Sequence, residues 1–201
     1  IAVPADTGSD DIVRAMVRQV VESLGGVDIL VNAAAKPGGQ GPVPTLETIT
    51  DQAFWDDMNI KVLGYLRCAR EVAPFMKAAR WGRIISVSGL AARQSGSIIG
   101  SIRNVSVAAL TKNLADELGP FGINVTVVHP GMTRTEKTSA MLAARAQAAG
   151  VPVAQLEAEM AQANATRRFV DAREVADVIA FLASPRSVAI NGDAIAVGGG
   201  A

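Results

Sequence analysis

The chain has one cysteine, one histidine and one tyrosine in 201 residues, and aromatic side chains make up only 4% of it. A lone Cys68 excludes an intramolecular disulfide and fits a reducing compartment, so a cytoplasmic location is expected. Cys68 lies in an apolar helical stretch and is read as core packing rather than as a reactive thiol. Basic and acidic residues number 19 each, giving a formal net charge of zero. That balance carries no electrostatic footprint for nucleic acid or an anionic membrane. No apolar run reaches the length of a bilayer span. No metal site is expected.

What is present is globular composition: 49% hydrophobic and 19% charged residues, enough to bury a core in a single domain over residues 1–201. The opening "IAVPAD" reads as the tail of a strand entering a loop, which leads us to expect a piece of a longer polypeptide whose N-terminal strands lie outside this chain. Four short β-branched runs, 27–31, 83–87, 124–128 and 194–197, are bounded by Gly, Pro, Asn or Ser, as strands buried on both faces are. Helical periodicity fills 10–24, 51–79, 104–118 and 172–183, the first with Ser9 or Asp10 as N-cap and Gly25 as stop. Strand–helix alternation predicts an α/β fold, a Rossmann-like doubly wound parallel sheet with helices on both faces. Ligands bind such sheets at the carboxyl ends of the strands. Function is therefore sought in residues 32–45, 88–100 and 129–140. Residues 136–167, rich in Ala, Gln and Met, read as two short helices, either a mobile lid over the site or a surface insert.

Four collinear segments make the reading specific: "GGVDILVNAAA" (25–35), "WGRIISVSGLAA" (81–92), "LTKNLADELGPFGINVTVVHPGMTRTE" (110–136) and "EVADVIAFLASPRSVAINGDAIAVGGGA" (174–201). Together they resemble the short-chain dehydrogenase/reductase family. The resemblance implies NAD or NADP as cofactor and a set of residues that hold it. Asp6 matches the acid that accepts a hydrogen bond from adenine, unless it merely caps the following helix. Asn32, Ala33 and Ala34 match the turn beneath the cofactor ribose, with Ala35 where the family has Gly. Pro130, Gly131, Met132, Thr133 and Thr135 match the turn that holds the nicotinamide amide. His129 precedes that turn and is expected to be structural. "KPGGQG" (36–41) is Gly-rich but opens no helix after a first strand, so it is not the phosphate loop. The residues that would separate NAD from NADP are not legible.

The departures are as informative. Counting back from Leu114, Ala115, Glu117 and Leu118 puts the family's catalytic tyrosine at Gly100 and its lysine at Asn104. The family's serine falls on Ser88 or Gly89, and the spacing to Gly100 favours Ser88. Counting back from Gly64 puts the family's catalytic asparagine at Lys61, not at Asn59. Lys and Asn would thus have exchanged places across the site, keeping a cation near the cofactor. The alternative is a solvated Lys61 and a helix-capping Asn104. Gly100 offers no proton donor, and Tyr65, one turn beyond Lys61, reads as core or subunit contact; Lys61 could donate if burial lowered its pKa.

Three functions follow from the resemblance. The first is an NAD(P)-dependent oxidoreductase acting on a carbonyl or secondary alcohol, with catalytic Ser88, Lys61 and Asn104 in an atypical active site. The second is a catalytically inactive relative that binds a nucleotide or small molecule. The third is an oligomer subunit. Family members form homodimers or homotetramers through the helices that correspond to 51–79 and 104–118, where Trp55, Leu66 and Val105 would contribute. Loops 36–50 and 136–167 suggest a mostly apolar small-molecule substrate.

Overall fold

The computed structural model describes residues 1–36 and 43–201. The Gly-rich run noted at 36–41 lies, apart from Lys36, outside the described residues. Helix α1 (Asp10–Leu24) leads into strand β1 (Ile29–Asn32). A long helical segment follows as α2 (Asp51–Met58), a π-helical turn (Asn59–Leu63) and α3 (Gly64–Ala79). Then come β2 (Gly82–Val87), α4 (Ile98–Leu118), β3 (Ile123–Pro130), the short strand β4 (Thr133–Arg134), α5 (Thr138–Ala149), α6 (Val153–Ala161), the short strand β5 (Val170–Asp171), α7 (Ala172–Ala183) and β6 (Ala194–Val197).

Strands β1, β2, β3 and β6 form one sheet in that order, every pair parallel. Parallel neighbours require helical crossovers, and α2–α3, α4 and α7 supply them. The central strands are apolar on both sides, as such a sheet demands. Ile84 and Val125 pack with Val17, Val72, Met76 and Leu118 from α1, α3 and α4. Ile85 and Val128 face the other way, against Val175 and Leu182 of α7. The expected doubly wound α/β fold is therefore present. No helix among the described residues is long and apolar enough to cross a membrane.

The predicted helix at 10–24 is found with Ser9 as its N-cap, the Ser9 side chain accepting from Ile12 N, and with Gly25 in the left-handed region (φ 85°) as its C-cap. Asp6 is not a cap; its Oδ1 accepts from Gly8 N in a tight local turn. The helix predicted from 104 begins earlier, at Ile98, with Ser97 as N-cap. Asn104 lies in its interior and is 3% exposed, so the capping alternative for Asn104 is wrong. α4 buries Gly100, Asn104, Val107, Thr111, Ala115 and Leu118 along one stripe, yet leaves Ile98, Ile102 and Val105 exposed. Apolar residues on both faces blurred its periodicity in the sequence. Two helices, α5 and α6, stand within 136–167 as expected. The pairing of β4 with β5 was not expected. With Val170 N donating to Met132 O (3.0 Å), it ties the loop after β3 to the start of α7.

The π-helical turn has an identifiable support. Widening the register frees backbone carbonyls, and side chains from elsewhere take them. Thr7 Oγ1 donates to Ile60 O (2.9 Å), and Arg67 Nη1 donates to Asn59 O (3.1 Å) and to Thr7 O (2.9 Å). Asn59 Nδ2 donates to Gly8 O (3.1 Å), which fastens the loop holding Asp6 to the same turn. Close approach requires a glycine here, because a Cβ on Gly64 would stand 2.7 Å from Thr7 Cβ. Substituting G64A should therefore cost about 1–3 kcal/mol and lower the melting temperature by roughly 3–10 °C. A thermal melt unchanged from the wild type would contradict this packing.

Candidate active site

The parallel register brings the carboxyl ends of β1, β2, β3 and β6 to one edge of the sheet. Ser88 follows β2 there, Lys61 reaches it from the π-helical turn, and Asn104 reaches it from the buried face of α4. The three meet. Lys61 Nζ donates to Ser88 O (3.1 Å) and to Asn104 Oδ1 (3.3 Å), and Ser88 Oγ donates to Asn104 O (3.3 Å). Lys61 is 3% exposed, so the alternative of a solvated surface lysine is excluded. The side chains of Lys61 and Asn104 converge beside Ser88, as an exchange of the two residue types across a site requires.

Burial sets the electrostatics. The Lys61 ammonium loses its water and lies near the Arg103 guanidinium, which together push its pKa down to about 8, against a smaller opposing pull from Asp57. Arg103 Nη1 donates to Asp57 Oδ1 (2.8 Å), joining α4 to α2. Arg103 Nε donates to Asn104 Oδ1 (3.4 Å), so the Asn104 carbonyl serves both cations. Neither Arg103 nor Asp57 had a place in the site expected from the sequence. The two are 46 residues apart, and no local pattern links them.

The other sequence candidates lie around this cluster. His129 is buried at the end of β3, its Nδ1 accepting from Gly89 N (3.4 Å). Burial, Arg93 and Lys61 lower its pKa, leaving a neutral ring that supports the loop after β2. Tyr65 is buried, and its hydroxyl donates to Val87 O (2.9 Å), with burial pushing its pKa up. It is a core residue. Cys68 is likewise buried, with its pKa raised by burial, as core packing requires.

Asn32 is buried at the end of β1, its Nδ2 donating to Ser86 Oγ (3.5 Å), and Ala33 and Ala34 follow it as exposed residues. Pro130 pairs with Val197. Gly131 N donates to Val197 O (3.0 Å), and a Cβ on Gly131 would come within 2.7 Å of Gly198 Cα. Met132 packs against Leu142, Ala161 and Phe169 under α5 and α6. Thr133 Oγ1 donates to Gly131 O (3.0 Å), and Thr135 N donates to the buried Thr138 Oγ1 (2.8 Å). A nicotinamide dinucleotide fits this edge: Ala33 and Ala34 carry nothing beyond Cβ, so a ligand can approach their backbone. A separate depression of about 460 Å³, lined by Leu24 to Asp28 and Phe75, lies by the amino end of β1, remote from the cluster. Among the described residues no group of His, Cys, Asp and Glu could hold a metal ion.

The buried ammonium predicts a pH dependence of stability. Unfolded, Lys61 titrates near its ordinary 10.5; folded, it titrates at about 8. Between those values the unfolded chain binds more protons, so folding gains stability as pH rises through the window. Below it the full cost of the buried charge is present. Denaturant titrations of wild type and K61M should show the difference moving toward the wild type from pH 8 upward, by at most about 1.4 kcal/mol per pH unit. A difference independent of pH would contradict the burial.

Comparison with known proteins agrees with the fold. The family model described as Enoyl-(Acyl carrier protein) reductase matches residues 1–201. The short-chain reductase protein NovJ of Streptomyces niveus is 31% identical over 196 residues, covering 97% of this chain and 72% of that protein. The 3-oxoacyl-[acyl-carrier-protein] reductase FabG of Staphylococcus epidermidis is 30% identical over 209 aligned residues, covering 99% of this chain and 76% of the relative. Among solved structures, L-sorbose reductase from Gluconobacter frateurii, complexed with NADPH and L-sorbose, superimposes with a TM-score of 0.90 at 27% identity, over 98% of this chain and 75% of the other. Matched along its whole length in this way, the chain belongs to the short-chain dehydrogenase/reductase family.

Proposed function

We propose that this chain is an NAD(P)-dependent oxidoreductase that interconverts a carbonyl and a secondary alcohol, with its cation supplied by Lys61 rather than from α4. The observation that carries the reading is the buried Lys61–Asn104 hydrogen bond beside Ser88. Support for the cofactor comes from the NADPH-bound relative and from the exposed, small residues Ala33 and Ala34. Asp6, Asn32, Ala33, Ala34, Pro130, Gly131, Met132, Thr133 and Thr135 would hold it, Met132 by its backbone since its side chain packs under α5 and α6. The bound cofactor supplies or accepts a hydride at the carbonyl carbon.

The chain's own residues then handle the oxygen. Lys61 donates two hydrogen bonds within the described residues, which leaves its third N–H for a ligand oxygen. Its pKa of about 8 keeps it protonated at neutral pH yet able to release a proton to a developing alkoxide. Ser88 orients the carbonyl once its hydroxyl turns from Asn104 O to the ligand, and Asn104 holds the ammonium in place. The outer apolar residues Trp55, Leu66 and Val105 would be covered in a dimer or tetramer, and α5 with α6 would form the lid.

A second reading, binding of a nucleotide or small molecule without turnover, draws on two observations. Gly100 has no side chain to donate a proton, and the Ser88 hydroxyl is already engaged by Asn104 O. Titration with NADH and NADPH, followed by a carbonyl panel, separates the two. The first reading expects one cofactor to bind and reduction to decline above pH about 8 as Lys61 deprotonates. Failure of both cofactors to bind would sink it; binding without turnover on any carbonyl would favour the second.

The exchange itself can be reversed. N104K alone should set two ammonium groups on one buried site and destabilise the fold, whereas K61N/N104K should recover much of the loss. Denaturation of the wild type, K61N, N104K and K61N/N104K should give a coupling of about 1–3 kcal/mol. Additive effects would show that the two positions do not share a function.

A further inference from the structure

Arg103 is built into the site more firmly than a surface ion pair needs. Its side chain is 14% exposed and that of its partner Asp57 is 18% exposed. Two of its three nitrogens are committed, Nη1 to Asp57 and Nε to Asn104 Oδ1. A guanidinium is planar, so those two bonds fix where the third nitrogen points. Nη2 makes no hydrogen bond within the described residues. It stands 4.0 Å from the point where a Cβ on Gly100 would be, a point that Ser97 Cβ and Oγ approach to 3.3 Å. With no side chain on Gly100, nothing from that position covers the unpaired edge of a permanently charged donor.

The surroundings favour an anion there. The charged groups acting on Lys61 are Arg103 and Asp57, and those acting on His129 are Arg93 and Lys61. Two cations, Lys61 and Arg103, thus meet one carboxylate, and that carboxylate is already bonded to Arg103. A partly desolvated guanidinium with an open edge is satisfied best by a charged acceptor, because such bonds are the shorter and stronger ones. Lys61 Nζ and Arg103 Nε bond the same Asn104 oxygen at 3.3 and 3.4 Å, so one small ligand can reach both cations.

We infer that Arg103 is a substrate-binding residue that selects a carboxylate: the ligand is a small oxo acid, or the matching hydroxy acid, with its carboxylate on Nη2 and its carbonyl toward Lys61 and Ser88. The carbonyl half of this statement rests on the oxidoreductase reading; the carboxylate half does not. It also departs from the apolar substrate that the loop composition suggested.

Paired probes test it. Saturation-transfer NMR would measure the binding of 2-, 3- and 4-oxo acids of four to six carbons, each against its methyl ester, to the wild type, R103Q, R103K and D57N/R103Q. The double variant removes both charges of the ion pair and guards against misfolding caused by an orphaned Asp57. At least one acid should bind the wild type about tenfold or more tightly than its ester. That preference should disappear in R103Q and D57N/R103Q and persist in part in R103K. If no acid binds more tightly than its ester, or if the preference survives in both R103Q and D57N/R103Q, the inference is overturned. NADH and NADPH binding, measured on the same samples, keeps the two claims apart. Acid preference without cofactor binding would remove the oxidoreductase and leave the carboxylate site; cofactor binding without acid preference would do the reverse.

Discussion

One ammonium group organises this site. Lys61 is held away from water by the π-helical turn on one side and by α4 on the other, and its charge is tolerated because Ser88 O and Asn104 Oδ1 accept its protons. A buried cation without acceptors would cost several kcal/mol or lose its proton. The rest of the cluster can be read as the means of avoiding that. Asn104 turns its carbonyl oxygen toward Lys61 while Arg103 approaches the same atom from the other direction. The π-helical turn sets the position of Lys61, and Thr7 and Arg67 hold that turn by bonding the carbonyls around it.

The outer framework was legible because its causes are local. Strands 83–87 and 124–128 are apolar on both faces and edged by polar or glycine residues, so only a sandwiched parallel sheet can bury them. Helices 10–24 and 172–183 carry one apolar stripe each and were found at their predicted bounds. Helix α4 was placed six residues short. Its first turns put Ile99 and Gly100 inward but Ile98 and Ile102 outward, which erases the amphipathic signal that marks a helix start. Strands β4 and β5, two residues each, are defined by pairing and not by pattern.

The site was legible in part, and the division is physical. Counting from Gly64 and from the end of α4 located Lys61 and Asn104, because each lies only a few residues to a few turns along the chain from its anchor. What counting could not provide was the π-helical turn, which depends on Thr7 across a gap of 53 residues, or the Arg103–Asp57 pair joining two helices. Long-range polar contacts leave no periodic trace. Yet they add to the effect of burial on Lys61 and fix the direction of Arg103.

The central claim is that Lys61 is a buried, hydrogen-bonded cation poised near neutrality beside Ser88. NMR titration of isotope-labelled lysine, with the Lys61 signal assigned through its loss in K61M, measures this directly. The account predicts a midpoint of about 8 that moves lower in N104L, where the acceptor from α4 is gone. A midpoint in the ordinary lysine range near ~10.4, indifferent to Asn104, would contradict it.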